Sequence, residues 1–187
     1  MDEARNDIVR FGRKLVERGM TTSFFGNLSA KYEDRLFITA TGSMLDELEG
    51  DQVVEVPLHG EGENDSRASS ELCVHRLIHQ NVDCTSVMHA HTVYSILCGE
   101  LFDSAASFAV AEVLPFLEYV PVVTGKSGSL DLAENVTEGL KRNRVIIVKD
   151  HGVFAAGETM KECYIYVSSL EFHAKELVLK RILNSSK

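Results

Sequence analysis

His89 and His91, separated by one alanine, lie in an apolar run of strand type, Val87-Met88-His89-Ala90-His91. Residues two apart on a strand point to the same face, so these two imidazoles stand side by side, as a metal site requires. Zinc binds imidazole nitrogen at about 2.0–2.1 Å, and a catalytic zinc takes about three protein ligands and keeps one position open. An H-x-H pair also occurs on solvated strands, so the pair alone does not separate a metal site from a solvent-facing surface. A third imidazole, His151, follows the short buried-type strand 145–149 and precedes Gly152. A polar residue at the end of a buried strand sits at a sheet edge, where α/β proteins place their ligands. The competing reading is a turn histidine at the surface. Glu71 follows Ser69-Ser70 and is expected in the first turn of a helix, where the helix dipole favours its anionic form. It reads either as a first-turn capping acid or as a carboxylate that ligates a metal or carries a proton.

Two further features suit an anion. Gly26-Asn27 and Thr41-Gly42 are small turn-forming pairs expected to offer free backbone N–H groups, and Ser69 and Ser70 add hydroxyls at a helix start. Small residues and a helix start together can cradle a phosphate. Gly-Asn and Thr-Gly are also ordinary turn dipeptides. The remaining candidates read blandly: His75, His79 and His173 as packing or surface residues of helices, and His59 as a residue of a polar loop. Cys73 and Cys163 read as core, Tyr164 and Tyr166 as helical, and Tyr119 as part of a strand-like segment.

The elements that must position these residues follow from periodicity. Ile8, Phe11, Leu15 and Val16 give a helix over residues 2–19 one apolar stripe, with Gly19 as its stop. Residues 23–30 read as a turn leading into a strand, 35–39 and 52–56 as strands, and 58–67 as a polar, mobile loop. A serine N-cap predicts a helix through Gln80, with Leu72, His75, Leu77 and Ile78 on its inner face. A strand over 84–91, a short helix over 92–99, a helix from Leu130 to Lys141 entered through Ser127-Gly128-Ser129, and a buried strand over 145–148 follow. Residues 107–123 are ambiguous. A long helix over 159–183 carries Cys163, Val167, Leu170, Ala174, Leu177 and Ile182 near one face. Helices alternate with strands close enough to pair antiparallel. The expected fold is therefore a three-layer α/β/α sandwich with a mixed, mainly antiparallel sheet, in a single domain over 1–187.

Composition bounds the function. The chain has 187 residues, enough to bury roughly 70% of its unfolded surface without disulfides. Nineteen basic and 28 acidic residues give a net charge of −9, so no sequence-wide footprint for nucleic acid exists. An anionic substrate must then find local positive character, from a metal ion or backbone amides. Four scattered cysteines without a C-x-x-C pair fit a reducing cytosol, and no apolar run approaches the ~18 residues of a membrane span. A polar N-terminus without a secretory signal adds to the expectation of a cytoplasmic protein.

Taken in order, Gly26-Asn27-Leu28-Ser29, Ile38-Thr39-Ala40-Thr41-Gly42, Ser69-Ser70-Glu71, His89-Ala90-His91 and Asp150-His151-Gly152 resemble the class II aldolase/adducin family, most of all its short archaeal L-fuculose-1-phosphate aldolases. The resemblance runs nearly the whole chain. It implies zinc, or another divalent metal, on His89, His91 and His151, with Glu71 as fourth ligand and catalytic acid/base. Gly26, Asn27, Thr41, Gly42, Ser69 and Ser70 would hold the phosphate of a sugar-phosphate substrate. The implied reaction cleaves a ketose phosphate to dihydroxyacetone phosphate and an aldehyde through a metal-stabilised enediolate. The implied assembly is a homotetramer with active sites between subunits.

Departures are specific. Relatives often read Thr-Pro-Thr-Gly where this chain has Thr39-Ala40-Thr41-Gly42. Where the aldolase places a tyrosine that handles the aldehyde oxygen, this chain aligns Phe108, which cannot exchange a proton; Tyr94, Tyr119, Glu112 or water are the substitutes. The sequence ends at Lys187, without the longer tail that some relatives fold over the site. On the same scaffold stand dehydratases, epimerases, decarboxylases and non-catalytic adducin-like binding domains. Epimerases carry Asp where this chain has Glu71, and adducin heads have lost the metal histidines. The first comparison favours an aldolase over an epimerase, leaving a dehydratase open, and the second favours catalysis over a binding domain.

Overall fold

The computed structural model describes residues 2–108 and 115–185. Helix α1 (Asp2–Glu17) buries Ile8, Phe11 and Leu15 on one stripe. Met20 N–H then donates to the Leu15 carbonyl and Gly19 N–H to that of Val16, the pairing that closes a helix C-terminus. The chain continues through β1 (Asn27–Tyr32), β2 (Arg35–Thr39), β3 (Val53–Pro57), α2 (Leu72–Asn81), β4 (Ser86–Ala90), α3 (Val93–Gly99) and β5 (Ala105–Ala106). A four-residue helix α4 (Pro115–Glu118), β6 (Val120–Val123), α5 (Leu130–Leu140), β7 (Val145–Val148), β8 (Gly152–Gly157) and the 26-residue α6 (Met160–Ser185) complete it.

The eight strands form one sheet in the order β3-β2-β1-β4-β8-β7-β6-β5. Among the described residues only β6 and β7 run parallel; the remaining neighbours are antiparallel. Strand alternation sorts the side chains into two cores. Leu28, Ala30, Met88, Ala90, Val153 and Ala155 join Phe11, Leu15, Cys98, Cys163 and Leu170 of α1, α3 and α6. Val87, Ile146, Val148, Phe154 and Ala156 face Val74 and Ile78 of α2 and Leu132, Val136 and Leu140 of α5. The result is the expected three-layer α/β/α sandwich with a mixed, mainly antiparallel sheet.

Local structure departs from expectation in several places. Strand β8, between β4 and β7, is a central strand that periodicity did not mark, because Gly152, Ala155, Ala156 and Gly157 carry little of the bulk that signals β-structure. The ambiguous stretch resolves in part into α4 and β6. Loop 58–67 is anchored: a short helical turn at Asp65–Arg67 is held by Arg76, whose guanidinium pairs with Asp65 at 3.0 Å. Cys73 is exposed rather than core, because α2 turns Val74, His75, Ile78 and His79 inward instead. Ile182 is likewise exposed on the final turns of α6. No helix among the described residues is long and apolar enough to cross a membrane.

Candidate metal centre and cleft

Register brings the site together. In the β1–β4 pair Asn27 stands opposite His89, and in the β4–β8 pair His89 stands opposite Phe154. Asn27, Ser29, Val87, His89 and Phe154 therefore share the sheet face beneath α2. Strand β4 ends at Ala90, one residue earlier than expected, yet His91 stays beside its neighbour: the two Nε2 atoms are 3.0 Å apart. His151 arrives from the tight β7–β8 turn, in which Asp150 adopts φ 57° and His151 N–H donates to the Val148 carbonyl. Gly152 then passes so close to β4 that a Cβ would lie 2.6 Å from the Ala90 carbonyl oxygen and 3.0 Å from the His89 ring.

The three imidazoles converge. Their ring centroids are 4.8, 4.8 and 4.9 Å apart, and one ligand atom from each lies within 4.8 Å of the others. Glu71 completes the set, with Oε2 3.2 Å from His89 Nε2 and Oε1 3.5 Å from His151 Nε2. Glu71 is the N-cap of α2 rather than a first-turn residue, and its carboxylate caps nothing. It is buried and turned to the histidines, receiving Asn27 Nδ2–H at 3.1 Å on Oε2 and Ser127 Oγ–H at 3.0 Å on Oε1.

Protonation suits a cation. Burial alone would push the Glu71 carboxyl up, but the His89 imidazole and the Asn27 amide outweigh it, with help from His151 and His75. The result is a value of about 2. Burial lowers His89 and, with His89 and His151 as neighbours, brings His91 down to about 3. Neutral imidazoles beside an ionised carboxylate are the forms that bind a divalent metal. His89 Nδ1–H donates to the Val153 carbonyl at 2.9 Å, which leaves the Nε2 lone pair pointing into the cluster. Nitrogens bound to one tetrahedral cation at 2.0–2.1 Å lie about 3.3 Å apart, close to the 3.0 Å between His89 Nε2 and His91 Nε2. Stacking fixes the rings: His89 lies on Phe154 at 4.1 Å and His91 on Phe25 at 5.1 Å. The residues present therefore fit a divalent metal.

The cluster opens into a cleft of about 360 Å³, lined by His91, His151, Glu71, Gly26, Asn27, Thr41, Gly42, Ser69 and Ser70. All the residues singled out in the sequence for an anion thus meet the metal candidates in one cavity, with His89 buried behind it. Thr39 and Ala40, of the same motif as Thr41-Gly42, also line it, as do Ser43, Ser127, Phe24 and Phe25, which carried no sequence signal beyond ordinary turn composition. One expectation needs correction: the Thr41 amide donates to the Arg67 carbonyl, so Thr41 offers its hydroxyl rather than its backbone N–H, while Ser69, whose amide donates to the Thr39 carbonyl, offers a hydroxyl as expected. The Asn27 side chain is engaged by Glu71 and His75, which makes it a brace of the carboxylate. Among the described residues no Lys or Arg lines the cleft, so an anion there meets neutral donors and whatever cation the histidines hold.

Phe108 belongs elsewhere. It is buried in the core with Leu117 and Val120, and its backbone N–H donates to Leu117. Neither Tyr94, under Lys175 of α6, nor the exposed Tyr119 lines the cleft. Glu112 and Lys187 lie outside the described residues.

Comparison with known proteins agrees with this geometry. The family model described as Class II Aldolase and Adducin N-terminal domain matches residues 6–178. A protein named L-fuculose phosphate aldolase from Methanococcus maripaludis (strain C7) is 31% identical, the match covering 97% of this chain and 98% of that protein. A 3-oxo-tetronate 4-phosphate decarboxylase from Pectobacterium atrosepticum is 29% identical over 92% of this chain and 82% of its own length. The crystal structure of L-fuculose-1-phosphate aldolase from Thermus thermophilus superposes with a TM-score of 0.91 at 26% identity, covering 100% of this chain and 98% of that one.

Proposed function

Because the chain belongs to the class II aldolase and adducin family, we propose that it is a metal-dependent lyase that cleaves a ketose phosphate of the L-fuculose 1-phosphate type into dihydroxyacetone phosphate and an aldehyde. The observation that carries this reading is the convergence of three imidazoles and one ionised carboxylate at the wall of a cleft that also presents small neutral donors. His89, His91 and His151 would hold a divalent cation, with Glu71 as a fourth ligand; zinc suits this set, and other divalent ions accept similar ligands. When bound, the cation supplies Lewis-acid stabilisation of the negative charge that develops on substrate oxygens as the C–C bond breaks.

The chain's own residues do the rest. Thr41, Ser69 and Ser70 present hydroxyls, and Gly26 and Gly42 leave room for a phosphate to approach. Glu71 is held ionised by His89 and Asn27, so in the cleavage direction it would take up the proton lost by the substrate hydroxyl that becomes the aldehyde carbonyl, directly or through water, and return it to the carbon left electron-rich when the aldehyde departs. Ser127 holds Oε1 and Asn27 holds Oε2, which fixes the orientation of the carboxylate independently of any cation. Phe24 and Phe25, 64% and 51% exposed at the mouth, form an apolar rim that a second copy would cover. We therefore expect a homotetramer with its clefts between subunits.

The test is direct. Metal-loaded protein is incubated with L-fuculose 1-phosphate and related ketose phosphates, and dihydroxyacetone phosphate is followed by coupled assay, with and without chelator. Chelator-sensitive release supports the reading; no release from any ketose phosphate counts against it. The decarboxylase relative favours one alternative, loss of carbon dioxide from a 3-oxo acid phosphate, which breaks a C–C bond with the same charge development. Carbon dioxide from 3-oxo-tetronate 4-phosphate, without turnover of ketose phosphates, would select it.

A further inference from the structure

Strand alternation sets Asn27 and Ser29 on one face of β1, and the four-residue spacing on α2 sets His75 and His79 on one helix face. The two faces meet, and all four side chains are buried. Asn27 Nδ2–H donates to Glu71 Oε2 at 3.1 Å. His75 Nε2 lies 2.5 Å from Asn27 Oδ1, and His75 Nδ1 lies 2.6 Å from Ser29 Oγ. Ser29 Oγ also lies 2.8 Å from His79 Nε2, and His79 Nδ1 faces the Cys84 sulfur at 3.8 Å. Elsewhere the contact between α2 and the sheet is made by Val74, Ile78 and Val87. A run of polar groups here costs stability unless every member is paired.

The pairing has one direction. Asn27 Oδ1 can only accept, so His75 carries its proton on Nε2. Burial holds His75 down at about 3 and His79 well below its ordinary value, so each ring is neutral and bears one N–H. The bare Nδ1 of His75 then accepts a hydrogen bond from the Ser29 hydroxyl, and Ser29 Oγ accepts one from His79 Nε2–H. Reversing any link would turn the Asn27 carbonyl oxygen toward an anionic Glu71 oxygen.

We propose that Ser29, His75 and His79 are positioning residues for Glu71, joined through Asn27 into a one-way hydrogen-bond chain that fixes the amide with its NH2 end on the carboxylate. This rests on the lyase reading only in what Glu71 does, not in how it is held. Loss of a group that orients a ligand or acid/base through another side chain typically costs about 10- to 100-fold in activity.

Two measurements test it on the full chain. Neutron diffraction from deuterated protein at neutral pH should place deuterium on Nε2 of both His75 and His79, with the Ser29 deuteron directed at His75 Nδ1. Deuterium on His75 Nδ1, or a hydroxyl turned to His79, overturns the chain. Ser29→Ala should lower kcat about 10- to 100-fold with KM and metal content unchanged, and should cost nothing further in a Glu71→Gln background. An unchanged kcat, or the full loss repeated in that background, overturns the link to Glu71. Wild-type protein that turns over neither a ketose phosphate nor a 3-oxo acid phosphate would strike the lyase reading instead, and the deuteron positions would then decide the chain alone. They need no variant, so a Ser29→Ala protein that fails to fold does not remove the test.

Discussion

Glu71 divides its contacts between two oxygens. Oε2 faces His89 and Asn27, and Oε1 faces His151 and Ser127. Glu71→Gln keeps a neutral oxygen for the cation but cannot exchange a proton. It should retain most of its metal, by elemental analysis of the purified protein, while kcat falls by roughly 10²–10⁴-fold. His91→Ala removes a ligand outright and should lower metal occupancy itself. At this scale the sequence was informative where spacing has a structural meaning. The H-x-H pair, a histidine at a strand end and an acid beside a helix start all fell on one cluster. It was silent where a residue type is common in its setting: Ser127 sits in a Ser-Gly-Ser turn, and His75 and His79 read as packing until β1 is laid beside α2.

Elements hold the cluster by close approach. Gly26 enters β1 at φ 93°, and a Cβ there would lie 2.6 Å from the His89 carbonyl oxygen. Gly26→Ala should therefore lose about 1–3 kcal/mol in urea denaturation, and should also lower metal occupancy by displacing β4. Helix α2 brings a pH dependence. His75 is depressed from 6.5 to about 3, so between those values the unfolded chain holds a proton that the folded chain does not. Stability is then fully present above about pH 6.5 and falls as pH drops toward 3, at up to about 1.4 kcal/mol per pH unit for this group. The urea midpoint of metal-free protein should fall between pH 7 and pH 5, and fall less in His75→Gln. The elements that periodicity missed share a cause. Strand β8 opens on Gly152, where a Cβ would meet the Ala90 carbonyl of β4, and closes on Gly157, where one would meet Glu162 and Tyr166 of α6, and such small residues read as turn. Cys73 follows composition inward only if the phase of α2 is unknown; the buried histidines set that phase.

The whole molecule is acidic, at −9, and its cleft has no lysine or arginine among the described residues. Attraction for an anionic substrate must then come from a bound cation and neutral donors, which ties binding as well as chemistry to the metal. On the outer surface Phe172, Leu179 and Leu183 of α6 are exposed, at spacings of seven and four that form one stripe. An apolar stripe of this kind on a helix fits a face between copies. Sedimentation should give a tetramer, and Phe172→Lys should shift it to smaller species without loss of helicity by circular dichroism. The layer architecture was legible because helices and strands alternate with clear periods. Strand order was not, since β1, β4 and β8 meet through pairings remote in sequence. The claim on which all of this rests is tested most directly by anomalous diffraction at the zinc edge from crystals of zinc-loaded protein. One peak should lie about 2.0–2.1 Å from a ring nitrogen of each of His89, His91 and His151. A map with no peak there, or with zinc bound only at other residues, would contradict it.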